Sequence, residues 1–471
     1  MLQKKHLNNL LIAFGALVLL VSGPLLADRI TAGDAHDLVA RGDGGQFVWG
    51  SDSNGQLGDG LTLDALNPIP VADIRYNALG GAIAVVAHGD NNLVLLDDAT
   101  LLGWGPNENS QLGSGLLYSS NYKGNQPDDG GDETNPVPGA VTSNALVFPT
   151  KVVDPEGKPI ANITAIALGA NFAAAVNQEG SVLVWGKLEA FKEKEEDREP
   201  ANRYRDKFFD PSIEFIDSKY RDGDPVDDFE LQYMRDAQGN RYTNIISVAV
   251  GDKHLLALTN TGLVLAWGEN SSGQLGDGSL IQRAYPVFVR NSQLAMITNI
   301  SSVAARGSTS MAVSADGRLL GWGSTAVVSP VDDNLLDLIG HPDESYAQPM
   351  ADGDGKAISS LRRVALGDSH MLGLTLDGRV NAWGSNGNGQ LGDGTNSPVS
   401  GTATVVFGDG RQIGNIIEIA VGSIHSLALH GDGSVFAWGS GENGRLGDGT
   451  NIDSYYAVDV RDRNNNPFSL F

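Results

Sequence analysis

Short apolar runs and glycine-rich turns alternate along most of the chain, and one arrangement of them recurs. Its most regular copy, residues 416–439, reads IIEIAVGSIHSLALHGDGSVFAWG. An apolar, β-branched run at 416–421 is followed by a second run at 425–429, an Asp-Gly turn, and a third run at 434–438. Asp-Gly between short apolar runs is typical of β-hairpins. Each copy therefore predicts three antiparallel strands.

A second block follows the third strand and leads into a fourth. Trp383-Gly384 is followed by SNGNGQLGDGTN, and Trp438-Gly439 by SGENGRLGDGTN. Fourth strands, several of them announced by proline, are predicted at residues 68–74, 149–153, 286–290 and 455–460. Four short strands per repeat are the unit of a β-propeller blade.

The number of tryptophans gives the number of repeats, because every tryptophan lies in a Trp-Gly pair. They are Trp49, Trp104, Trp185, Trp267, Trp322, Trp383 and Trp438. Their successive spacings of 55, 81, 82, 55, 61 and 55 residues indicate a period of 55 with additions in some copies. A single blade cannot bury both faces of its sheet, whereas blades packed in a ring bury them all. We predict an all-β, seven-bladed β-propeller of four-stranded antiparallel blades over residues 28–471. The termini are expected to close the ring, with strand 455–460 lying beside blade one.

The combination of motifs resembles a known family. A-x-G-x-x-H, the Asp-Gly turn, A-W-G and G-Q-L-G-D-G together are similar to the repeats of the regulator of chromosome condensation family, over residues 28–471. The resemblance implies a seven-bladed propeller. Repeats three and five depart from it because they lack a recognisable G-Q-L-G-D-G, and repeat two has Ser114 in place of the aspartate.

Residues 1–27 have the layout of a secretory signal peptide. Lys4 and Lys5 precede an apolar run at residues 10–21, and Ala27 offers a small residue for cleavage. The run is shorter than the roughly 20 residues needed to cross a bilayer, so no stable membrane span is expected after cleavage. An uncleaved anchor is the alternative. We expect an exported, bacterial-type member of the family, secreted or periplasmic.

Three additions to the period fall between strands three and four, at residues 116–146, 187–243 and 324–347. Equivalent connections leave a propeller at the same face, so one face is predicted to carry all three. The second addition is densely charged and contains aromatic residues that suit a protein interface. These candidate partner-binding residues are Phe208, Phe209, Phe215, Tyr220, Phe229 and Tyr233. The alternative is a solvated excursion that covers the edge of a blade.

The repeated polar residues are expected to be structural. His36, His254, His370 and His425 share one position of the repeat, where the other copies are aligned with Asn92, Phe172 and Ser310. Equivalent residues of different blades are spread around a ring, so they cannot converge on a metal ion or a substrate.

Aspartate and tryptophan of the repeat have their own predicted roles. The repeated aspartates are expected to bond their own turns, and the indoles to pack at blade contacts with the N–H hydrogen-bonded. These aspartates are Asp59, Asp277, Asp393 and Asp448. A calcium role for them, or a chance cation site in the carboxylates of residues 222–230, is the alternative. The latter run lacks the glycine and the closing glutamate of a calcium loop.

Charge and missing residue types narrow the function. A net charge of −25 disfavours nucleic acid as a partner. The chain has no cysteine, which excludes disulfides and thiolate zinc sites. No nucleotide-binding or hydrolase motif stands in a supporting context.

We expect a monomeric scaffold, not an enzyme, that binds an unidentified protein partner without cofactor or metal. One alternative is guanine-nucleotide exchange on a small GTPase, the best-known activity of the family that the chain resembles. Another is a carbohydrate-active or other propeller enzyme with carboxylates on the loop-bearing face.

Overall fold

Seven antiparallel sheets of four strands each make up the ring, and each sheet takes its strands from one continuous stretch of chain. The computed structural model describes residues 28–114, 145–191, 230–324, 344–397, 399 and 401–471. The first strands of neighbouring sheets contact one another all around the ring, so strand one is the innermost of each blade. The predicted seven-bladed propeller is confirmed.

The strands occupy equivalent positions in blades one to seven. The first strands are Ile30–Ala32, Ala82–His88, Ile163–Leu168, Ile245–Val250, Ile300–Arg306, Leu361–Leu366 and Ile416–Val421. The second strands are His36–Ala40, Asn91–Leu96, Phe172–Asn177, His254–Thr259, Thr309–Ser314, His370–Thr375 and His425–His430. The third strands are Gln46–Gly50, Leu101–Pro106, Val182–Gly186, Val264–Gly268, Leu319–Gly323, Val380–Gly384 and Val435–Gly439. The fourth strands are Ala65–Pro70, Ala145–Lys151, Glu230–Tyr233, Arg283–Phe288, Glu344–Pro349, Ala403–Thr404 and Ser454–Asp459.

The additions between strands three and four leave less chain outside the blades than the sequence indicated. Strand Glu230–Tyr233 lies inside the range 187–243, and the other two ranges overlap the first residues of a fourth strand. A 3-10 turn, Glu189–Phe191, also belongs to the described part of blade three. We call residues 115–144, 192–229 and 325–343 the three excursions; they lie outside the described residues. Within the described ranges, no helix has the length and apolar character needed to cross a membrane.

The hydrophobic core lies between the blades. Each of the buried clusters formed by the described residues joins two neighbouring blades and contains one tryptophan. Trp49 lies between blades seven and one, and each later tryptophan lies between its own blade and the preceding one. All seven indoles are buried. The contacts that hold the molecule together are therefore contacts between wedges, as expected for apolar sheets that cannot bury themselves.

The termini meet between blades seven and one. Leu470 is fully buried, and its carbonyl accepts the N–H of Gly42 at 2.7 Å. The ring of Phe468 packs edge-on against Phe47 and Trp49, with centroids 5.2 and 6.4 Å apart. The predicted strand 455–460 lies beside blade one at its end, as expected, because Val460 is buried in the cluster that contains Trp49. Ser454–Asp459 pairs with the third strand of its own blade, because blade one already has four strands.

Candidate interaction face

One end of the ring gathers the connections that could meet a partner. Strands one and three run towards this end and strand two runs away from it, since neighbours within each blade are antiparallel. The loops between strands one and two and those between strands three and four therefore emerge together. The excursions begin after Ser114, Phe191 and Ser324. They leave blades two, three and five at this end, which we call the loop face.

Near the loop face, the preceding blade anchors most of the tryptophans. The second residue of the G-Q-L-G, S-Q-L-G or G-R-L-G motif offers its main-chain carbonyl to the indole N–H of the next blade. The bonds at 2.9 Å are Trp104 to Gln56, Trp185 to Gln111, Trp322 to Gln274 and Trp438 to Gln390. Trp49 donates to Arg445 at 3.1 Å, across the junction where the termini meet. The motif thus couples five of the seven blades to the next one.

The two remaining tryptophans follow the two blades that lack the motif. Trp383 donates instead to the Thr402 hydroxyl at 3.2 Å. The indole N–H of Trp267 has no hydrogen-bond partner in the described part of the chain. Its ring packs edge-on against Phe191, with centroids 4.6 Å apart, and Phe191 in turn packs on Phe172. An aromatic residue at the root of the second excursion replaces the missing motif.

Glycine and aspartate of the L-G-D-G motif have separate roles. Gly58 has a φ of +63°, and a Cβ there would lie 2.6 Å from the indole nitrogen of Trp104, so only glycine fits. Each aspartate accepts the N–H of the residue two positions on, at 2.8 to 3.0 Å. The four are Asp59, Asp277, Asp393 and Asp448. Their carboxylates serve their own turns.

The four repeated histidines link strand two of one blade to strand two of the next. All four are fully buried. The pairs are His36 with Asn92 at 2.8 Å, His254 with Ser310 at 2.8 Å, His370 with Ser426 at 2.8 Å and His425 with Asp37 at 2.9 Å. The Ser310 hydroxyl donates its only proton to the Gln274 carbonyl at 2.8 Å, so Nε2 of His254 donates to Ser310. Burial lowers the pKa of His254 and His370 to about 3, which keeps both imidazoles neutral.

Asn92 and Ser310 do not occupy the histidine position, contrary to the alignment made from sequence. His254 pairs with Gly268 of the third strand, whereas Ser310 pairs with Trp322 and is one residue further along. The equivalents of the histidine in blades two and five are Asn91 and Thr309. The alignment from sequence matched Gly89 and Gly307 to the glycine of A-x-G-x-x-H. In the structure these two glycines come one residue after that position, so every residue aligned from them was shifted by one.

Two residues that the sequence did not single out, His88 and Arg306, occupy the position of the A-x-G-x-x-H glycine in blades two and five. In blades with the histidine it must be glycine: a Cβ on Gly251 would lie 2.3 Å from Cε1 of His254. Blades two and five lack the histidine, and there His88 and Arg306 end the first strand. The sequence does mark these positions: A-H-G at residues 87–89 and A-R-G at residues 305–307 put a charged or polar residue where the other blades have glycine directly after the apolar run.

Arg306 crosses the axis of the ring at the loop face. It belongs to blade five, yet its Nε donates to Asp368 of blade six at 2.7 Å and its Nη2 to Asp34 of blade one at 2.8 Å. Its Nη1 lies 3.1 Å from Nδ1 of His88 in blade two. The Arg306 side chain is 9% exposed, against 46% for Asp34 and 53% for Asp368. Burial and the neighbouring Arg306 lower the pKa of His88 to about 3, so His88 accepts. Arg306 therefore lies across the end of the central axis at the loop face, where the carboxylates of Asp34 and Asp368 are about half exposed.

The candidate partner-binding aromatics do not form one described surface. Phe208, Phe209, Phe215, Tyr220 and Phe229 lie outside the described residues, as does most of the carboxylate run 222–230. Tyr233 pairs with Leu183 inside blade three, and the Arg241 guanidinium stacks 3.7 Å from the centre of its ring. Tyr233 is a blade residue. Among the described residues, no group of three or more histidine, aspartate or glutamate side chains could hold a metal ion.

The fold defines a class of protein, the seven-bladed β-propeller, and part of the chain matches a known repeat of such propellers, the regulator of chromosome condensation (RCC1) repeat. Two family models of that repeat match residues 245–274, 362–390 and 416–445, and residues 261–313, 377–429 and 432–468. These ranges lie in blades four to seven, where the chain carries the repeat.

Known proteins with similar sequences or structures agree with this class. Protein pim1 of Schizosaccharomyces pombe is 27% identical over 432 residues, which cover 86% of this chain and 68% of pim1. The ultraviolet-B receptor UVR8 of Arabidopsis thaliana is 26% identical over 427 residues, 90% of this chain and 79% of UVR8. The crystal structure of Prp20p from Saccharomyces cerevisiae has a TM-score of 0.58 at 20% identity, covering 89% of this chain and 86% of Prp20p. All three are eukaryotic and give no support to the bacterial-type expectation.

The histidine pairs obey a rule that can be tested. Where a blade lacks the histidine, the acceptor position in the next blade is apolar: Ala173, Leu255 and Met371. Ser310→Ala leaves the buried N–H of His254 without an acceptor and is expected to lower the free energy of unfolding by about 1–3 kcal/mol. The double variant His254→Phe/Ser310→Leu, which copies Phe172 and Leu255, is expected to recover part of this loss.

Urea unfolding measures both variants. Ser292→Ala, at an exposed turn, is the control and is expected to stay within about 0.5 kcal/mol of the parent. The pairing rule would be contradicted if the double variant lost as much free energy of unfolding as His254→Phe and Ser310→Leu lose together when each is measured alone.

Proposed function

We propose that this chain is an exported, non-catalytic scaffold that binds a protein partner through its loop face. The observation that carries the proposal is the common exit of all three excursions at that face, around an axis closed by Arg306. The histidines and aspartates of the repeats are engaged in bonds between blades or within turns. They are poor candidates for chemistry on a substrate, which favours binding over catalysis.

The described part of the loop face also indicates the chemistry of the partner. Asp34 and Asp368 keep about half of their side-chain surface in solvent beside a buried Arg306. A third carboxylate nearby, Asp252, has a pKa raised by burial. An anionic mouth favours a partner with lysine or arginine at its centre, because complementary charge steers association. Export is proposed from the leader-like residues 1–27.

The test removes an excursion and leaves the ring intact. Leu188 and Phe191 are buried in the core between blades three and four, and Glu230–Tyr233 completes blade three. Residues 194–227 should therefore be replaced by a short Gly-Ser linker, with replacement of residues 327–341 in blade five as the matched control. Crosslinking and recovery from the exported fraction is expected to lose a partner in the first variant and keep it in the second.

Recovery of the same partners by all variants, including one without any excursion, would overturn the proposed binding face. A partner lost only with the blade-five excursion would move the site to blade five and contradict the choice of blade three. Circular dichroism of each variant must match that of the parent protein, so that the loss of a partner in the crosslinking experiment is not due to unfolding.

Guanine-nucleotide exchange on a small GTPase is the second candidate. It is favoured by the similarity to pim1 over most of both chains and to Prp20p, which is described with its binding properties to Gsp1p and histones. The measurement is release of a fluorescent GDP from purified small GTPases on addition of residues 28–471. Release accelerated about a hundredfold or more would favour exchange, since catalysed steps commonly gain at least that factor. Retention of the chain in the cytosol would also favour it.

A further inference from the structure

The end of the axis opposite the loop face holds a buried carboxylate beside residues 28 and 29. Glu418, in the first strand of blade seven, is 4% exposed, and its Oε2 accepts the main-chain N–H of Arg29 at 2.8 Å. The Asp28 carboxylate accepts from Nη2 of Arg363 in blade six at 2.8 Å. The Asp28 carbonyl accepts the N–H of Val85 in blade two at 2.8 Å. Three blades therefore fix the main chain at residues 28 and 29.

The cationic side chains nearest Glu418 are directed to other groups. The Arg363 guanidinium pairs with Asp28, and the Arg29 guanidinium lies over the ring of Phe471, 5.4 Å from its centre. Burial, with a further contribution from the Asp28 charge, raises the pKa of Glu418 to about 7. In the described part of the chain, the hydrogen bond from Arg29 is the one that this carboxylate accepts. Glu418 therefore makes no direct ion pair with a described side chain, although the charges of Arg363 and Arg29 favour its ionised form from a distance.

We propose that the chain is hydrolysed between Ala27 and Asp28, and that the new α-ammonium of Asp28 becomes the counter-ion of Glu418. The inference rests on the proposed export of the chain. In the cleavage, water adds to the peptide bond: the carbonyl carbon of Ala27 keeps the oxygen as a carboxylate, and the Asp28 nitrogen leaves as an amine. The reactant is water and the catalyst is a peptidase that recognises small residues before the bond. An α-amino group has an ordinary pKa of about 7.7–8.0, so it is protonated at neutral pH.

Chain geometry puts the ammonium within reach of the carboxylate. Neighbouring backbone nitrogens are joined by three bonds whose lengths limit their separation to under about 4 Å. The nitrogen of Arg29 already lies 2.8 Å from Oε2 of Glu418, and both sides of Asp28 are held by other blades. While residue 27 is attached, the Asp28 nitrogen is a neutral amide and cannot supply the charge. Cleavage would thus lock the start of blade one to blade seven.

The test is a thermodynamic cycle on the α-amine and Glu418. Residues 28–471 are prepared with a free amine and with an Nα-acetyl group, each with Glu418 and with Glu418→Gln. At pH 6.5, acetylation is expected to lower the folding equilibrium constant about tenfold with Glu418, which corresponds to one unit of pKa, and to have no effect with Glu418→Gln. An equal effect of acetylation in both backgrounds would overturn the ion pair.

A second measurement does not need the variant to fold. The pKa of the Asp28 α-amine, followed by NMR in the free-amine protein, is expected to exceed its ordinary value by about one unit. An unshifted amine would overturn the proposal, as would an exported chain whose mass shows a first residue other than Asp28. Partner capture by the excursions tests the proposed function separately, so either idea can fail alone.

Discussion

Deletion of residues 468–471 is expected to lower the free energy of unfolding by about 5 kcal/mol or more. Phe468 is 8% exposed and Leu470 is fully buried, both against blade one. Truncating a buried phenylalanine costs about 3–5 kcal/mol and a buried leucine about 2–5 kcal/mol. The deletion also removes the carbonyl that accepts the Gly42 N–H. Urea unfolding of residues 28–471 and 28–467 measures the difference.

Phe471→Ala is the control for this deletion. Phe471 is 60% exposed, and its described interaction with a charged group is the contact with the Arg29 guanidinium. Such a contact is worth about 0.5–1 kcal/mol at an exposed site, so the single substitution is expected to cost no more than that. A deletion as mild as this control would mean that the ring closes without the C-terminal residues.

Asp52→Asn is expected to stabilise the protein at neutral pH by about 2–4 kcal/mol. Asp52 is fully buried in blade one, at the position that Asn107, Asn270 and Asn386 hold in other blades. In all of them the side-chain oxygen accepts the N–H five residues on. The amide of Asn270 also donates to its turn, whereas the second oxygen of Asp52 has no described partner. Asp52 has a proton for such a bond only as the neutral acid, and keeping that proton at neutral pH costs free energy that a neutral amide does not cost.

The expected effect depends on pH with a definite sign. Burial, with added charge from Asp59 and Asp64, raises the pKa of Asp52 from its ordinary 3.8 to about 8. The folded state therefore keeps a proton that the unfolded state releases, and stability falls as pH rises from about 4 to about 8, by up to 1.4 kcal/mol per unit. The substitution removes this slope.

Unfolding at pH 5 and at pH 7.5 tests the assignment. Asp52→Asn should gain more at the higher pH, and the reciprocal change Asn270→Asp should lose more there. Equal gains for Asp52→Asn at both pH values would show that Asp52 is ionised in the folded protein.

The ring was predictable from the sequence because one rare residue marks every blade. Each tryptophan lies in the same local context, and the indoles count interfaces directly. The end of blade three was missed because Glu230–Tyr233 has no proline to announce it, and its alternation of apolar Leu231 and Tyr233 with polar residues spans only four positions. Closure by residues 468–471 was not predictable either, because this segment follows the last fourth strand and contains none of the repeated motifs.

The candidate face was predictable only where the repeat is regular. The aspartates of the turns interact within a few residues, so local spacing identifies their role. The histidine pairs and the Arg306 cluster join residues 56 to 388 positions apart, and no local pattern records such distances. The glycine replaced by His88 and by Arg306 was a visible departure, yet its meaning depends on which blades face each other across the axis.

We propose that two parts of the chain have separate roles: residues of the repeats hold the ring shut, and the excursions bind a partner. Hydrogen exchange of the seven indole N–H groups, in the variant whose residues 194–227 are replaced, tests this most directly. All seven indoles are expected to remain as protected as in the intact chain, because Phe191, which packs on Trp267, is retained. Rapid exchange at Trp267 in that variant would place the second excursion in the core of the ring and contradict the account.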